Sequence, residues 1–444
     1  MLFDLNIRKP GNMFVLVDAD SFYASCETVF NPGLSGSPVI VLSNNDGCVI
    51  ARNKQAKKLG IPMGQPVFKM TRLLEANRVA VFSANYTLYG DLSRRLMTLL
   101  QSFSPSVEIY SIDEAFLQAD HISEENLFEF GKKIVMTARQ YLDLPVSAGI
   151  GPTKTLAKAA SWLAKKQASE IPVKQLGPAS ISHDELKNVP VENIWGIGER
   201  YARRLKKMGI DSAAGVATLD PAHIRNVMGV GVQRTVLELN GSVCYLLDEN
   251  PERNKELTVS RSFGKNLSTP EEVRAATAEF ATVLGAKLRR RKVAAQTIIV
   301  FLMTAKYTRL PRYANYSVIH LANPANDDSR LIRAAVRGID NIFREGYLYK
   351  KSGIMVTETI PIKALTANAH EGPNDTRQQK LAGVIDRINR KSGLPSVKYA
   401  IQGDKSLWQM KQHHLSPRYT TRWDEIPLIY MDDPLSDDSK TNQD

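Results

Sequence analysis

The sequence predicts a multidomain α+β protein, and three observations carry that reading. Strands and helices alternate over about the first 180 residues. A stretch with helical periodicity only then follows, and strands finally return in the order strand–helix–strand–strand–helix–strand. With 444 residues the chain has room for about three or four domains of ordinary size. Its content of 43% hydrophobic and 23% charged residues suits a protein that buries cores.

Taken in order, Met13–Val17 is an apolar run ending at Asp18, a buried strand with a carboxylate at its C-terminal end. Val39–Leu42 reads as a second strand, followed by the turn-rich SNNDG. Val49–Leu59 reads as a helix stopped by Gly60 and Pro62. Leu92–Phe103 is helical and is broken by Ser104-Pro105-Ser106. Val107–Ile112 and Ala115–Leu117 read as strands around Asp113-Glu114. Helices over Leu127–Leu142 and Thr153–Lys166 flank a strand at Val146–Ile150. After about Ser180 the pattern changes, and Asn193–Asn240 looks all helical with two Gly-hydrophobic-Gly turns. Strands at Leu257–Phe263, Gln296–Thr304, Tyr316–His320 and Ile354–Ile362, with helices Pro270–Lys292 and Ser329–Phe343, give a split βαβ pattern. Beyond Ala364, TANAHEGPND reads as a linker, Thr376–Lys391 as one helix and the acidic tail as disorder. No fixed-period repeat occurs, which argues against a solenoid.

Composition narrows the function. No run of about 18 apolar residues is present to span a membrane. The opening MLFDLNIRKPGN lacks the basic and apolar regions of a secretory signal and reads as a short leader. Cys26, Cys48 and Cys244 form no CxxC pair, which argues against a zinc site or a disulfide scaffold and fits a reducing cytoplasm. The net charge is +12 and the pI about 9.4. From Asp424 onward seven acidic residues and one basic residue give −6, so the rest carries +18. Leu257–His320 holds eleven Lys or Arg against three Glu, a net of +8. Such a stretch is either a solubilising surface or the footprint of a polyanionic partner such as nucleic acid.

The chemistry centres on carboxylates in apolar surroundings. Asp18 closes a strand, and Asp113 and Glu114 sit together in YSIDEAF. A buried carboxylate is costly unless it is paired or metal-bound, and three converging on one place require cations. That is the donor set of a two-metal phosphoryl-transfer site, with hard oxygens holding magnesium. Neighbours in a regular strand point to opposite faces, so Asp113 and Glu114 share a site only if the chain bends there. The alternative is an exposed turn.

Other motifs are less direct. GIGPTKT has Thr153 where a P-loop needs glycine, so the pattern argues against a nucleotide-hydrolysing P-loop. Trp195-Gly196-Ile197-Gly198 opens a helix that runs on through Arg203 and Arg204, as in a helix-hairpin-helix that grips phosphate with backbone N–H groups. Met228-Gly229-Val230-Gly231 repeats it more weakly, and an ordinary interhelical turn is the alternative for both.

The segments DADSFYASCE, NNDGCVIARN, SANYTLYGDLS, EIYSIDEAF, GIGPTKTLAKAAS, WGIGERYARRL and WQMKQHHLSPRYTTR stand in this order along the chain. From Met13 to about Trp423 the sequence thereby resembles the lesion-bypass (Y-family) DNA polymerases, in their UmuC-like branch. The resemblance implies a right-hand polymerase: palm 13–30 and 91–180, small fingers 31–90, helical thumb with helix-hairpin-helix 181–250, little finger 256–364 and a C-terminal region 365–444. It implies error-prone translesion synthesis in the bacterial SOS response, in the cytoplasm and on the nucleoid when active. Two Mg2+ ions would be held by Asp18, Asp113, Glu114 and the backbone carbonyl of Ala19.

The same resemblance makes Tyr23 the steric gate whose ring leaves no room for a 2′-hydroxyl. Neighbouring Phe22 is either part of the pocket or a core aromatic. Lys57 and Lys165 would bind the triphosphate, with Arg52 a further candidate, while Lys54 stands where many relatives have Tyr. Backbone contacts at Gly196 and Gly198, and Arg261, Lys265, Arg289, Arg290, Arg291 and Lys292 of the little finger, would hold DNA without reading its sequence. The implied substrates are primer–template DNA and dNTP, and the implied partners a processed UmuD dimer and a RecA filament. Where relatives carry a QLxLF-type clamp peptide this chain reads IPIKALTANAH, so the sliding clamp is left without its usual motif. Two rivals stay open: a non-catalytic DNA-binding protein with a dead polymerase core, and a metal-dependent nuclease.

Overall fold

The computed structural model of the chain describes residues 12–167, 169–248, 256–306, 310–365, 373–392, 396–403 and 408–428. The leader before residue 12, most of the TANAHEGPND linker and the tail from residue 429 lie outside them. The described residues form two compact units. The first takes in the chain through Ser43, from Gly47 to the break at 249–255, and again from His414. The second takes in Asn44–Asp46 and the chain from 256 to His413.

The first unit begins with β1 (Phe14–Ala19), α1 (Phe22–Val29), β2 (Val39–Leu42) and β3 (Val49–Arg52). The segment read as one helix from Val49 is therefore a strand followed by a single turn, α2 (Lys54–Lys58). Val49 and Ile50 are β-branched, and the strand they begin pairs antiparallel with β2. Asn53 then caps α2 by accepting from the N–H of Ala56, which starts the helix five residues late. After α3 (Thr71–Ala76), β4 (Ala80–Ser83) pairs parallel with β2, completing a three-stranded sheet in the order β3-β2-β4. Helix α4 (Tyr86–Gln101) leads to β5 (Val107–Ile109), β6 (Glu114–Gln118), α5 (Leu127–Leu142), β7 (Val146–Gly151), α6 (Lys154–Lys166) and β8 (Val173–Gln175).

These strands form a five-stranded sheet, β5-β6-β1-β7-β8, with β1 central and antiparallel to both neighbours. Strand β1 is a continuous apolar run because both its faces are covered. Val15 and Val17 enter the main core, while Phe14 and Leu16 pack with Phe116 and with Ala157 of α6. Alternation along the strand puts Asp18 on the α6 side, with Phe14 and Leu16. Helix α6 lies directly on β7: a Cβ at Gly149 would run into the backbone of Ala157 and Ser161.

The rest of the unit up to residue 248 is helical: α7 (Ala179–Leu186), α8 (Glu199–Lys207), α9 (Ala213–Ala217), α10 (Pro221–Met228) and α11 (Val230–Leu239). The chain rejoins this unit at His414 as a strap along the edge of β4. The N–H of Ser83 donates to the carbonyl of His414 at 2.9 Å, and the N–H of His414 donates back to Ser83 Oγ at 3.0 Å.

The second unit holds β9 (Leu257–Leu267), α12 (Pro270–Arg290), β10 (Val293–Thr304), β11 (Ala314–Ala325), α13 (Asp328–Ile342) and β12 (Tyr349–Pro361). This is the predicted βαββαβ order, folded as a sheet β11-β10-β12-β9 with longer strands than the sequence suggested. Helix α12 starts with a capping box, Thr269 and Glu272 exchanging bonds with each other's backbone. A short turn α14 (Ile362–Leu365) and a long helix α15 (Pro373–Ser392) follow. No described helix is long and apolar enough to cross a membrane.

Arg289, expected from the sequence to meet DNA, sits differently from its neighbours: its side chain is 12% exposed and points inward. Its Nε and Nη2 form a fork on Asp386 of α15 at 2.6 and 2.7 Å. Its Nη1 donates to Asp328 Oδ1 at 2.8 Å and to the Asn326 carbonyl at 2.6 Å. Burial pushes the Asp328 carboxyl up to about 6, against the pull of Arg289. Removing one partner of such a buried set leaves the other charges uncompensated. Arg289→Ala should therefore destabilise the protein by about 3–5 kcal/mol. Arg290→Ala, on an exposed side chain, should stay within about 0.5 kcal/mol. Urea unfolding of the two variants beside the parent checks this.

Candidate active site

The end of β1 and the start of β6 bring two carboxylates face to face, because the register sets Asp18 opposite Glu114. Directly opposed side chains in an antiparallel pair stand only about 4.5–5.5 Å apart at Cβ, and like charges there repel. Helix α6 answers with two lysines seven residues apart, hence on one stripe of the helix. Lys165 Nζ lies 2.6 Å from Asp18 Oδ1 and 3.2 Å from Asp20 Oδ1. Lys158 Nζ lies 3.0 Å from both carboxylate oxygens of Glu114 and sits 4.4 Å from the centre of the Tyr110 ring.

The compensation is incomplete at Asp18. Burial, opposed by Lys165 and reinforced by Glu114 and Asp113, pushes its carboxyl up to about 7. Burial alone would lower Lys165, but Asp18 and Asp20 reverse this and raise it.

Asp113 lies just before β6, in a turn rather than in the strand. The bend that two adjacent acidic residues needed is thus present. Ser111 builds it: its Oγ accepts from the N–H groups of Asp113 and Glu114, at 3.2 and 3.0 Å, and donates to Asp113 Oδ1 at 2.5 Å. The N–H of Ala19 donates to the Asp113 carbonyl at 2.9 Å, locking the turn to the end of β1. As they stand, no three described His, Cys, Asp or Glu side chains are grouped closely enough to hold a metal ion. The acidic groups turn to lysines instead.

Asp18, Ala19, Phe22, Tyr23, Arg52, Lys57, Asp113 and Lys165 line one cleft of about 460 Å3. Eight sequence candidates therefore share one space, while Glu114, paired with Lys158, is not among its lining residues. Phe22 is 3% exposed and belongs mainly to the core. Tyr23 is half-buried, with its ring stacked on Tyr89 at 4.7 Å and 17° and edge-on to Tyr86 at 6.0 Å. Arg52, at the end of β3, donates to the Ile61 carbonyl. Lys57 donates to Ser21 Oγ at 3.0 Å. Burial lowers the Lys57 ammonium, and Lys165 and Arg52 lower it further, so the cleft holds mutually repelling cations on its wall. Lys54 faces a different groove. Lys154, the lysine of the P-loop-like GIGPTKT, is buried on Glu108 and the Leu246 carbonyl and is not free to meet a phosphate.

In the helical region Gly198 caps α8 with open space on its Cβ side. Gly196 adopts φ +86° against Thr235. The Trp195 indole N–H donates to the Tyr110 hydroxyl at 3.0 Å. Gly229, at φ +88°, turns α10 into α11. In the second unit Arg261, Lys265, Arg290 and Lys292 are exposed and Arg291 is half-buried.

Sequence reasoning missed Lys158, which i,i+7 spacing from Lys165 could have suggested. It also missed Lys287, whose ammonium is lowered by burial and then by Arg261, Arg291 and Arg290, so these four make one basic cluster.

Residues 17–162 match the impB/mucB/samB family and residues 254–371 its C-terminal domain. Residues 379–429 match a domain of unknown function, DUF4113. Protein UmuC of Salmonella typhimurium is 40% identical over 419 residues, covering 93% of this chain and 99% of that protein. Protein SamB of the same species is 40% identical over 425 residues, 94% and 100% of the two chains. DNA polymerase IV of Bacillus velezensis is 25% identical over 392 residues, 86% and 91%. Among solved structures, a Y-family DNA polymerase chimera of Dbh and Dpo4 has the same fold, with a TM-score of 0.63 at 20% identity over 78% of this chain and 98% of that one. Two-fifths identity from end to end, on a fold shared with a Y-family DNA polymerase, means that the chain belongs to the impB/mucB/samB family.

Proposed function

We propose that this chain is a template-directed DNA polymerase that adds deoxynucleotides opposite damaged template, error-prone and active in the SOS response. One observation carries the reading: Asp18, Asp113 and the Tyr23 ring line a single cleft together with Arg52, Lys57 and Lys165. Carboxylates, a flat ring and a row of cations are what a metal-bound triphosphate, its sugar and its phosphates respectively need.

The donor set fits divalent metal. It offers hard oxygens, and burial holds the Asp18 carboxyl near 7 even with the Lys165 ammonium beside it. Asp18, Asp113, Glu114 and the Ala19 carbonyl would hold two Mg2+ ions, which supply charge neutralisation and activate the primer hydroxyl. Lys165 would then pass from Asp18 to the phosphates. Lys57 and Arg52 take the outer phosphates, and Tyr23 closes the space below the sugar. Palm (13–30, 91–180), fingers (31–90), thumb (181–250) and little finger (256–364) are the working divisions. Phosphate-gripping turns at Gly196 and Gly198 and the cluster of Arg261, Lys287, Arg290 and Arg291 hold DNA of any sequence. A processed UmuD dimer and a RecA filament are the proposed partners, on the nucleoid. The degenerate clamp peptide leaves sliding-clamp docking to another surface. A nuclease would need neither the aromatic floor nor the cation wall, and primer extension with purified protein and magnesium separates the polymerase from both rivals.

Asp113→Asn should cut nucleotide addition by on the order of 10² or more while DNA affinity in gel shifts stays within a few-fold. Equal extension by variant and parent would refute the assignment of Asp113 as a ligand.

Tyr23→Ala should raise ribonucleotide relative to deoxyribonucleotide kcat/KM steeply, and Tyr23→Phe should keep most of the discrimination. Loss of discrimination in the Phe variant would point to a phenol hydrogen bond rather than to the ring.

Replacing Arg261, Lys287 and Arg290 together with Gln should weaken duplex binding regardless of sequence. The log–log salt slope should fall by roughly 0.9 for each phosphate the variant no longer neutralises. An unchanged slope would make the cluster a solubilising surface.

A further inference from the structure

The C-terminal strap is joined to Tyr23 by two hydrogen bonds and a ring stack. Ser416 Oγ donates to Glu27 Oε1 at 3.1 Å. The same oxygen accepts the Tyr89 hydroxyl at 2.5 Å. The Tyr89 ring then lies against Tyr23, 4.7 Å between centres and 17° from parallel. Tyr89 and Glu27 are fully buried and Ser416 nearly so.

The strap is also fastened to both helices that carry this chain of contacts. Asn85 Nδ2 donates to the Ser416 carbonyl and Oγ, each at 3.0 Å, and to the Pro417 carbonyl at 3.2 Å. Its Oδ1 accepts from the Leu88 N–H and caps α4, the helix bearing Tyr89. Tyr419 stacks on Phe30, which ends α1, the helix bearing Tyr23 and Glu27. A carboxylate has no place in such a core unless donors hold it, and Glu27 has two: one from the strap and one from the ring that supports Tyr23.

We propose that the strap sets sugar discrimination. Ser416 is a positioning residue that fixes Glu27 and Tyr89, and through them holds the Tyr23 ring at the height that excludes a 2′-hydroxyl. This rests on Tyr23 being the sugar gate. It gives the last part of the matched domain of unknown function, residues 379–429, a role in substrate choice. The lever is small and specific: a ring stacked on another ring shifts when that second ring loses its tether, and slight misplacement at a reacting site changes rates.

The test uses the full chain, primer–template DNA and matched dNTP and rNTP, and reads the ratio of their kcat/KM values. Ser416→Ala should lower the deoxyribonucleotide preference about three- to tenfold, the span expected for one lost hydrogen bond. Ser416→Thr keeps the hydroxyl and should restore the preference. Tyr89→Phe breaks the chain at its other hydrogen bond while keeping an aromatic ring under Tyr23, and should reproduce Ser416→Ala; it also answers the question if Ser416→Ala does not fold. In a Tyr23→Ala background, Ser416→Ala should add nothing to the ratio. The proposal is overturned if Ser416→Ala and Tyr89→Phe only lower the melting temperature and leave the ratio within about twofold, or if Ser416→Ala still shifts the ratio once Tyr23 is gone. If Tyr23→Ala itself leaves the ratio unchanged, the gate assignment fails first, on separate ground.

Discussion

Two like charges held opposite each other across the β1–β6 pair are the constraint around which the first unit is arranged. Asp18 and Glu114 share a face of the sheet because the register gives them no choice. The unit tolerates this because α6 lies close enough to deliver Lys158 and Lys165 to that face, and α6 lies that close because Gly149 has no side chain to hold it off. A glycine on one strand thus governs the electrostatics at the end of another. The pairing is also provisional: lysine ammonium groups can withdraw along flexible stems, whereas the carboxylates are fixed by register and by the Ser111 turn.

Much of this was legible in the residues. The apolar run at Met13–Val17, the long periodic helices and the βαββαβ order stood out because their burial is continuous along the chain. The bend at Asp113 followed from the rule that adjacent strand residues diverge. What failed did so for identifiable reasons. Val49–Leu59 mixes β-branched residues with the helix-favouring KQAKK, and only the cap at Asn53 marks where one gives way to the other. The run Arg289–Lys292 looks uniform in sequence, but a helix turns its side chains through all directions. Arg289 stands one turn beyond Gly285, on the buried face, where its Asp partners from α13 and α15 wait. No local pattern announces partners so far away in sequence.

Resemblance and physics contributed differently. The motif order identified the family, and the impB/mucB/samB matches agree with it. It said nothing about why SPRYTTR should persist at the end of the chain. The contacts of Ser416 and Tyr419 give that segment a physical reason to be where it is, at the backs of α1 and α4.

The Arg289 fork has a consequence for how the second unit can be divided. Asp386, on α15, completes the charge balance of an arginine that belongs to the βαββαβ core. A protease or a stop codon that removed α15 would leave that core with a guanidinium buried against Asp328 and the Asn326 carbonyl but stripped of its bidentate partner. The helix is therefore not a detachable appendage: it supplies a charge that the buried face of the core needs.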